Sequence, residues 1–320
     1  MPVNKSIKIA IIGCGYIAQK AYLPLFSQWP GVEIVGLFSR SEKRLKEVED
    51  RWPDLPKTNS LPLLLGNTID AAFVLTPAET HYDISRSLLT KGIHVFVEKP
   101  PTRSSTETMI LHELAVESGV LLMVGFNRRF APLVLKAKEL LGDRKINLCM
   151  VEKHRPNKEK RDLNEAYLED IIHQIDLLRF FGGEAKALTT EQESIDDCLL
   201  SSVSTVGYQR GGLGVLVSSR EAGRWLEKVS IFGDGLSIEL QMFRELRCIE
   251  SGREFVFGGD RPGSWLSHLE ERGFVGEIQH FLGCIKNGSQ PMTNAKDASL
   301  TQLLLEETIQ KSISPAERSA

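Results

Sequence analysis

At 320 residues the chain is long enough for two domains, and its 42% hydrophobic and 25% charged residues support a sizeable core and exclude a disordered chain. A formal charge of -3, with basic and acidic residues intermixed, leaves no electrostatic footprint for a nucleic acid or a membrane surface. The five cysteines, Cys14, Cys149, Cys198, Cys248 and Cys284, are widely spaced without a C-x-x-C pair, so no metal site or disulfide framework is expected.

In chain order, short, largely apolar runs at 7–12, 32–38, 71–75, 94–97 and 121–125 predict buried strands. Helical patterns at 17–29, 42–51, 81–91 and 105–118 separate them, which predicts a doubly wound parallel sheet. After Arg129 a helix at 133–141, a strand at 146–152, a polar loop at 155–162 and a helix at 166–181 follow. Strands at 199–209, 212–219, 228–233, 237–241 and 246–250, joined by glycine turns, predict a largely antiparallel open sheet. Helices at 273–286 and 297–312 close the chain, and a tail at 315–320 is expected to fray. The expected fold class is α/β: a dinucleotide-binding domain over 1–127, then an α+β domain over 128–320 for substrate binding and oligomerisation. The final helix is expected to pack back toward the first domain. The N-terminus lacks a signal-peptide layout and no stretch reaches membrane-spanning length, so a cytoplasmic protein is expected.

Gly13-Cys14-Gly15-Tyr16-Ile17-Ala18 stands between the first strand and the first helix, the context that a Rossmann G-x-G-x-x-A loop requires. Gly13 permits the turn, Gly15 lets the backbone approach a pyrophosphate, and Ala18 lets the helix pack closely. The N–H groups of the helix start, including Tyr16 and Ile17, then face the phosphate charge. After the second strand the chain reads Ser39-Arg40-Ser41, with Lys43 and Arg44 beyond, where an acidic residue would hold a ribose 2′-hydroxyl. Hydroxyls and guanidinium groups suit a 2′-phosphate, so NADP(H) is favoured over NAD(H).

Two further motifs are Val74-Leu75-Thr76-Pro77-Ala78-Glu79-Thr80-His81 and His94-Val95-Phe96-Val97-Glu98-Lys99-Pro100. With the glycine loop and the final helix they resemble the Gfo/Idh/MocA oxidoreductase family over nearly the whole chain. The segments Gly125-Phe126-Asn127-Arg128-Arg129-Phe130-Ala131-Pro132, Lys153-His154-Arg155 and Glu271-Arg272-Gly273-Phe274 resemble its MviM-type branch. The resemblance implies that Thr76, Pro77 and His81 line the dinucleotide and that Glu98 lies near the nicotinamide ribose. It implies that Lys99 is the active-site lysine, followed by a cis peptide at Pro100, and that the second domain forms a homodimer or homotetramer. The residues themselves agree on Lys99: it follows a buried strand at the carboxyl edge, where doubly wound sheets bind ligands.

In the helix at 166–181, Glu169 and Asp170 precede His173 by four and three residues, so either carboxylate can orient the imidazole as a general base. Family helices carry an aspartate four residues before the catalytic histidine; Glu169 stands there in this chain and Asp170 is the adjacent alternative. Asn127, Arg129, Lys153, Arg155 and His173 are candidate substrate contacts, with Arg128 and Arg129 equally suited to pairing with carboxylates. Trp265 and Arg272 are weaker candidates. The expected activity is hydride transfer between a nicotinamide and a secondary alcohol or carbonyl of a sugar, polyol or related small molecule. A dinucleotide-binding sensor without turnover is the alternative, and a hydrolase that retains NAD is a third.

Overall fold

The computed structural model describes residues 6–156, 161–196, 198–258 and 266–313; Trp265, part of the expected polar loop (157–160) and the expected tail (315–320) lie outside them. The chain divides into two compact units, Met1–Phe126 with Glu277–Ser299, and Asn127–Gly276 with Leu300–Ala320. A boundary near 127 is thus accompanied by a return of the chain, because helix Phe274–Asn287 contributes Glu277 and Phe281 to the core of the first unit.

In the first unit, β1 (Ile7–Ile12), β2 (Val32–Phe38), β3 (Lys57–Thr58), β4 (Ala71–Val74), β5 (His94–Glu98) and β6 (Leu122–Gly125) form a parallel sheet. Their order is β3-β2-β1-β4-β5-β6. Chain order reverses between β1 and β4, so the crevice for a ligand opens at the carboxyl ends of those two strands. Every residue of β4 is buried, as a sheet covered on both faces requires. Phe73 of β4 and Phe96 of β5 are register partners with rings 5.0 Å apart, and Tyr22, Phe26 and Phe281 pack around them. The helix after the glycine loop is shorter than its apolar pattern suggests, with a π-helical stretch Ala18–Tyr22 running into Leu23–Phe26. Pro30 explains the early stop, since the residue before a proline is pushed out of helical conformation.

In the second unit, β7 (Leu148–His154), β8 (Ala185–Ile195), β9 (Cys198–Tyr208), β10 (Leu213–Ser219), β11 (Leu226–Gly233), β12 (Leu236–Gln241), β13 (Glu245–Glu250), β14 (Arg253–Gly258) and β15 (Ser312–Ile313) form one sheet. The order is β14-β13-β12-β11-β7-β10-β9-β8-β15. It is antiparallel except at β7–β10 and β8–β15. Alternate residues of β7 are buried, and helix Ile172–Gly182 packs against β7 and β10. β8 escapes the apolar pattern because its sequence is mostly polar, and β14 because it is an exposed edge strand.

Arg129, which the sequence left open between a substrate contact and a carboxylate partner, is buried and paired with a carboxylate. Its Nε and Nη2 donate to Asp176 Oδ2 and Oδ1 at 2.7 and 2.5 Å, and Thr301 Oγ1 donates to the same carboxylate at 3.1 Å. A guanidinium out of water needs a fork of acceptors, and Asp176, fully buried one turn beyond His173, supplies it. Asp176→Ala strands that charge and is expected to cost about 3–5 kcal/mol in urea unfolding. A loss below about 1 kcal/mol, the size of an exposed pair, would contradict the assignment.

Candidate active site

The glycine loop is built as the fingerprint demands. Gly13 has φ +100°, and a Cβ there would stand 2.7 Å from the Leu75 carbonyl oxygen. Its N–H donates to Phe38 O at 2.8 Å, which ties the loop to the end of β2. At Gly15 a Cβ would meet nothing within 4 Å, so the backbone faces open space at the first turn of the helix. Tyr16 is exposed, Ile17 half-buried and Ala18 fully buried. Gln19 Nε2 fastens the turn by donating to Cys14 O at 3.0 Å and to Glu47 Oε2 at 3.1 Å. Ser39 is buried and its Oγ accepts from Ser41 N at 3.2 Å, while Arg40 is exposed. Tyr16, Gln19, Lys20, Arg44 and Arg51 line a neighbouring cavity of about 330 Å³. An uncrowded backbone at a helix start with a cationic rim fits a dinucleotide phosphate group.

At the carboxyl ends of β4 and β5, His81 joins two loops. Its Nδ1 lies 2.8 Å from Pro100 O and its Nε2 2.7 Å from Thr76 O. Thr76 Oγ1 accepts from Thr80 Oγ1 at 2.7 Å, and Pro77 starts the short helical turn Ala78–Thr80. The Lys99–Pro100 peptide is cis. Lys99 is half-buried, and its N–H donates to Glu98 Oε2 at 3.0 Å.

Behind Lys99 lies a cluster invisible in the sequence. The Tyr22 hydroxyl is 2.7 Å from Glu98 Oε1 and 2.9 Å from Glu277 Oε1, two carboxyls far apart in the chain. A phenol has one proton to give, so one carboxyl must supply the second hydrogen. Burial and the charge of Glu98 raise Glu277 well above the usual carboxylate range, which makes it the neutral acid. Burial also raises Glu98, opposed by Lys99 and by hydrogen bonds from Tyr22 and the Lys99 N–H.

The second unit gathers the other candidates. Ser202, Ser218, Lys153 and Glu227 are register neighbours across β9, β10, β7 and β11, all on the covered face and all buried. One register row away stand Leu216, Val151 and Val229. Lys153 Nζ reaches Asp170 O and Oδ1, both at 2.7 Å, and Glu227 Oε1 at 3.8 Å. Arg155 holds Asp170 through both Nε and Nη2, and Arg220 Nη1 donates to Asp170 Oδ2 at 2.6 Å. Arg128 donates two bonds of 2.6 Å to Glu227, and Gln174 Nε2 adds one of 3.0 Å. Burial lowers Lys153 to about 8. Burial would raise Asp170, but Lys153 and Arg155 outweigh it and hold the carboxyl well below its usual range. Burial likewise opposes ionisation of Glu227, yet Arg128 and Lys153 hold it at about 2.

His173 is buried on helix Ile172–Gly182, directly after a π-helical stretch Tyr167–Ile171. That wider turn disturbs the i,i+4 alignment on which the choice between Glu169 and Asp170 rested. The structure commits Asp170 to three cations, while Glu169 is half-buried. Asn127 Nδ2 donates to Arg272 O at 2.9 Å. Tyr22, Glu277, Glu227, Ser218 and Arg220 were not singled out from sequence. For Glu227 and Ser218 the available signal was a polar residue at a core-facing strand position; for Tyr22 and Glu277 there was none.

A carboxyl whose pKa is raised on folding stabilises the fold below its unfolded pKa, and that stability is lost as pH rises through the folded pKa. The melting temperature of the native chain relative to Glu277→Gln is therefore expected to fall steadily as pH rises above the ordinary carboxylate range. A difference that stays constant with pH would show that Glu277 is not held as the neutral acid.

Residues 7–126 match the family model described as "Oxidoreductase family, NAD-binding Rossmann fold". YceM of Salmonella typhimurium, named an oxidoreductase, is 33% identical over 309 residues, covering 94% of this chain and 97% of that protein. The scyllo-inositol 2-dehydrogenase (NAD(+)) of Bacillus subtilis is 24% identical over 320 residues, covering 93% and 92%. The crystal structure of the dehydrogenase MviM from Clostridium difficile superposes with a TM-score of 0.87 at 29% identity, covering 96% of this chain and 99% of that one. The chain is an enzyme of the Gfo/Idh/MocA family of oxidoreductases, with an NAD-binding Rossmann domain.

Proposed function

We propose that this enzyme is an NAD(P)-dependent dehydrogenase or reductase acting on a secondary alcohol or carbonyl of a sugar, a polyol or a related metabolite. The observation that carries the reading is Lys99, set at the carboxyl edge of β5 with its backbone fixed by Glu98 and by the His81 clasp on Pro100. The inositol dehydrogenase among its relatives supports a polyhydroxylated substrate. Gly13, Gly15, Tyr16, Ile17, Ala18, Ser39, Arg40, Thr76, Pro77, His81 and Glu98 are the residues proposed to hold the cofactor. When bound, a nicotinamide supplies the acceptor or donor of hydride.

The chain's own groups then handle the proton and the oxygen. The Lys99 ammonium holds the substrate oxygen and stabilises negative charge that develops on it. His173 takes the hydroxyl proton in the oxidising direction and returns it in the reducing one. Lys153, Arg155 and Asp170 form the charged surroundings of the His173 helix, and Asn127 braces the backbone at Arg272. In this reading Arg155 and Lys153 act on substrate through the field they create at that end of the sheet.

With an oxidisable polyol found by following NAD(P)H absorbance, Lys99→Ala and His173→Ala are each expected to lower kcat by about a hundredfold to ten-thousandfold. Unchanged turnover in both variants would refute the assigned roles. The absence of turnover with bound dinucleotide, across broad sugar and polyol classes, would favour a sensor.

The cofactor preference is proposed to be NADP(H). Ser39 and exposed Arg40 stand after β2, where an acidic side chain would select a free 2′-hydroxyl. Arg40→Ala is expected to weaken NADP+ binding by about tenfold, with little effect on NAD+. Equal losses for the two cofactors would exclude a 2′-phosphate contact.

A further inference from the structure

Tyr22, Glu98 and Glu277 meet inside the first unit, and the proposed reaction leaves Tyr22 and Glu277 without a task. Three elements bring them together. Tyr22 ends the π-helical stretch after the glycine loop and is fully buried. Phe96 and Glu98 stand two residues apart on β5 and share one face of the sheet. A tyrosine whose ring lies 5.7 Å from Phe96 therefore brings its hydroxyl to Glu98. Glu277 arrives on helix Phe274–Asn287, whose Phe281, one turn further on, lies 5.8 Å from Phe96. The chain beyond that helix is fastened to β6: Val124 N donates to Thr293 O at 2.8 Å, and Thr293 Oγ1 donates to Val124 O at 2.7 Å.

The hydrogen bonds distinguish the two carboxyls. Both oxygens of Glu98 face donors, Oε1 the phenol at 2.7 Å and Oε2 the Lys99 N–H at 3.0 Å. Glu277 Oε1 lies 2.9 Å from the phenol oxygen, and its buried Oε2 has no hydrogen-bond partner among the described residues. The carbonyl oxygen of a neutral acid bears such a position at far lower cost than half of a carboxylate. The hydrogens therefore run one way: Glu277 Oε1–H donates to the Tyr22 oxygen, and the Tyr22 O–H donates to Glu98. The titratable groups that act on Glu98 are Lys99, Tyr22, Glu277 and His81, whose ring nitrogens lie against Pro100 O and Thr76 O. Those that act on Glu277 are Glu98 and Tyr22.

We propose that Tyr22 and Glu277 are positioning residues that keep Glu98 an anion beside Lys99, and thereby keep Lys99 an ammonium; the proposal rests on the reading of Lys99 as the group that holds the substrate oxygen. Glu277 acts by retaining its proton. As a neutral acid it donates to Tyr22 and turns the phenol hydrogen toward Glu98. As a carboxylate it would compete for that hydrogen and set a second negative charge beside the first. Glu98 in turn favours the charged form of the amine next to it, as a nearby opposite charge does. An ammonium is the form of lysine that stabilises negative charge developing on a substrate oxygen.

Two measurements on the full chain test this without turnover. In infrared difference spectra at neutral pH, the native chain is expected to show the carbonyl stretch of a protonated carboxylic acid, and Glu277→Gln to lose it. Lysines methylated reductively with carbon-13 formaldehyde and followed by NMR as pH rises report the ionisation of Lys99, whose resonance is identified by its loss in Lys99→Arg. Tyr22→Phe removes one oxygen and keeps the ring, and is expected to move the Lys99 titration about one pH unit lower. Glu277→Leu, which fills the space without a donor, is expected to move it in the same direction by less, because a phenol that accepts no hydrogen bond is a weaker donor. Glu277→Gln, whose amide N–H replaces the acid as donor to Tyr22, is expected to leave it in place. The proposal is overturned by a native spectrum without the acid band, by a band that persists in Glu277→Gln, or by a Lys99 titration unmoved in Tyr22→Phe or Glu277→Leu. It is also overturned if Glu277→Gln moves that titration as far as Glu277→Leu does. Both readouts are independent of substrate, so failure of the kinetic test of Lys99 leaves them readable, and their failure leaves that test standing.

Discussion

Asp170 is the anion on which the buried charges of the second unit depend. Its carboxylate gathers Lys153, Arg155 and Arg220 from β7, from the residue after β7 and from the residue after β10. A lysine and an arginine that are each 1% exposed need such a partner to offset the cost of taking their charge out of water. Because Asp170 belongs to the turn that leads into the His173 helix, the same pairing fixes where that helix begins over the sheet. Arg129 with Asp176 pins the helix one turn further on.

The first unit meets the same difficulty in another way. Glu98 and Glu277 are both buried and share one phenol, with no cation among the three side chains. The low-cost arrangement is a proton retained on Glu277, a neutral acid, beside a hydrogen-bonded Glu98. Lys99 thus follows a residue whose carboxylate is held from behind by Tyr22 and from the front by a backbone N–H. Charge compensation in the second unit and proton retention in the first both position residues proposed for chemistry, and each leaves its own pH signature.

Much of the fold was legible from local patterns. The strands Ile7–Ile12 and Val32–Phe38 read directly from runs that are apolar but for Lys8 and Glu33, and the glycine loop from its place between strand and helix. β8 was not legible because its sequence is mostly polar and its Leu188 and Ile195 are exposed, and β3 because two residues carry no periodicity. The π-helical stretch before His173 was hidden too. Ideal helical spacing made Glu169 and Asp170 equivalent, whereas one widened turn and three cations give Asp170 a different task. Arg129 stayed ambiguous for a related reason: a motif shows that a guanidinium is present, not whether a buried carboxylate waits for it.

What the sequence determined by itself was whatever depends on neighbours along the chain: the two types of sheet, the dinucleotide loop, and the Glu98-Lys99-Pro100 motif that carried the family resemblance. The tertiary structure decided everything that depends on partners distant in sequence. It brought Glu277 to Tyr22, aligned Ser202, Ser218, Lys153 and Glu227 in one row, and sandwiched Arg272 between Trp225 and Phe243. The physical reason is that a buried charge is defined by its surroundings rather than by its residue type. Local pattern predicts which strand carries it and which face it takes, but only the folded chain supplies the groups that compensate it.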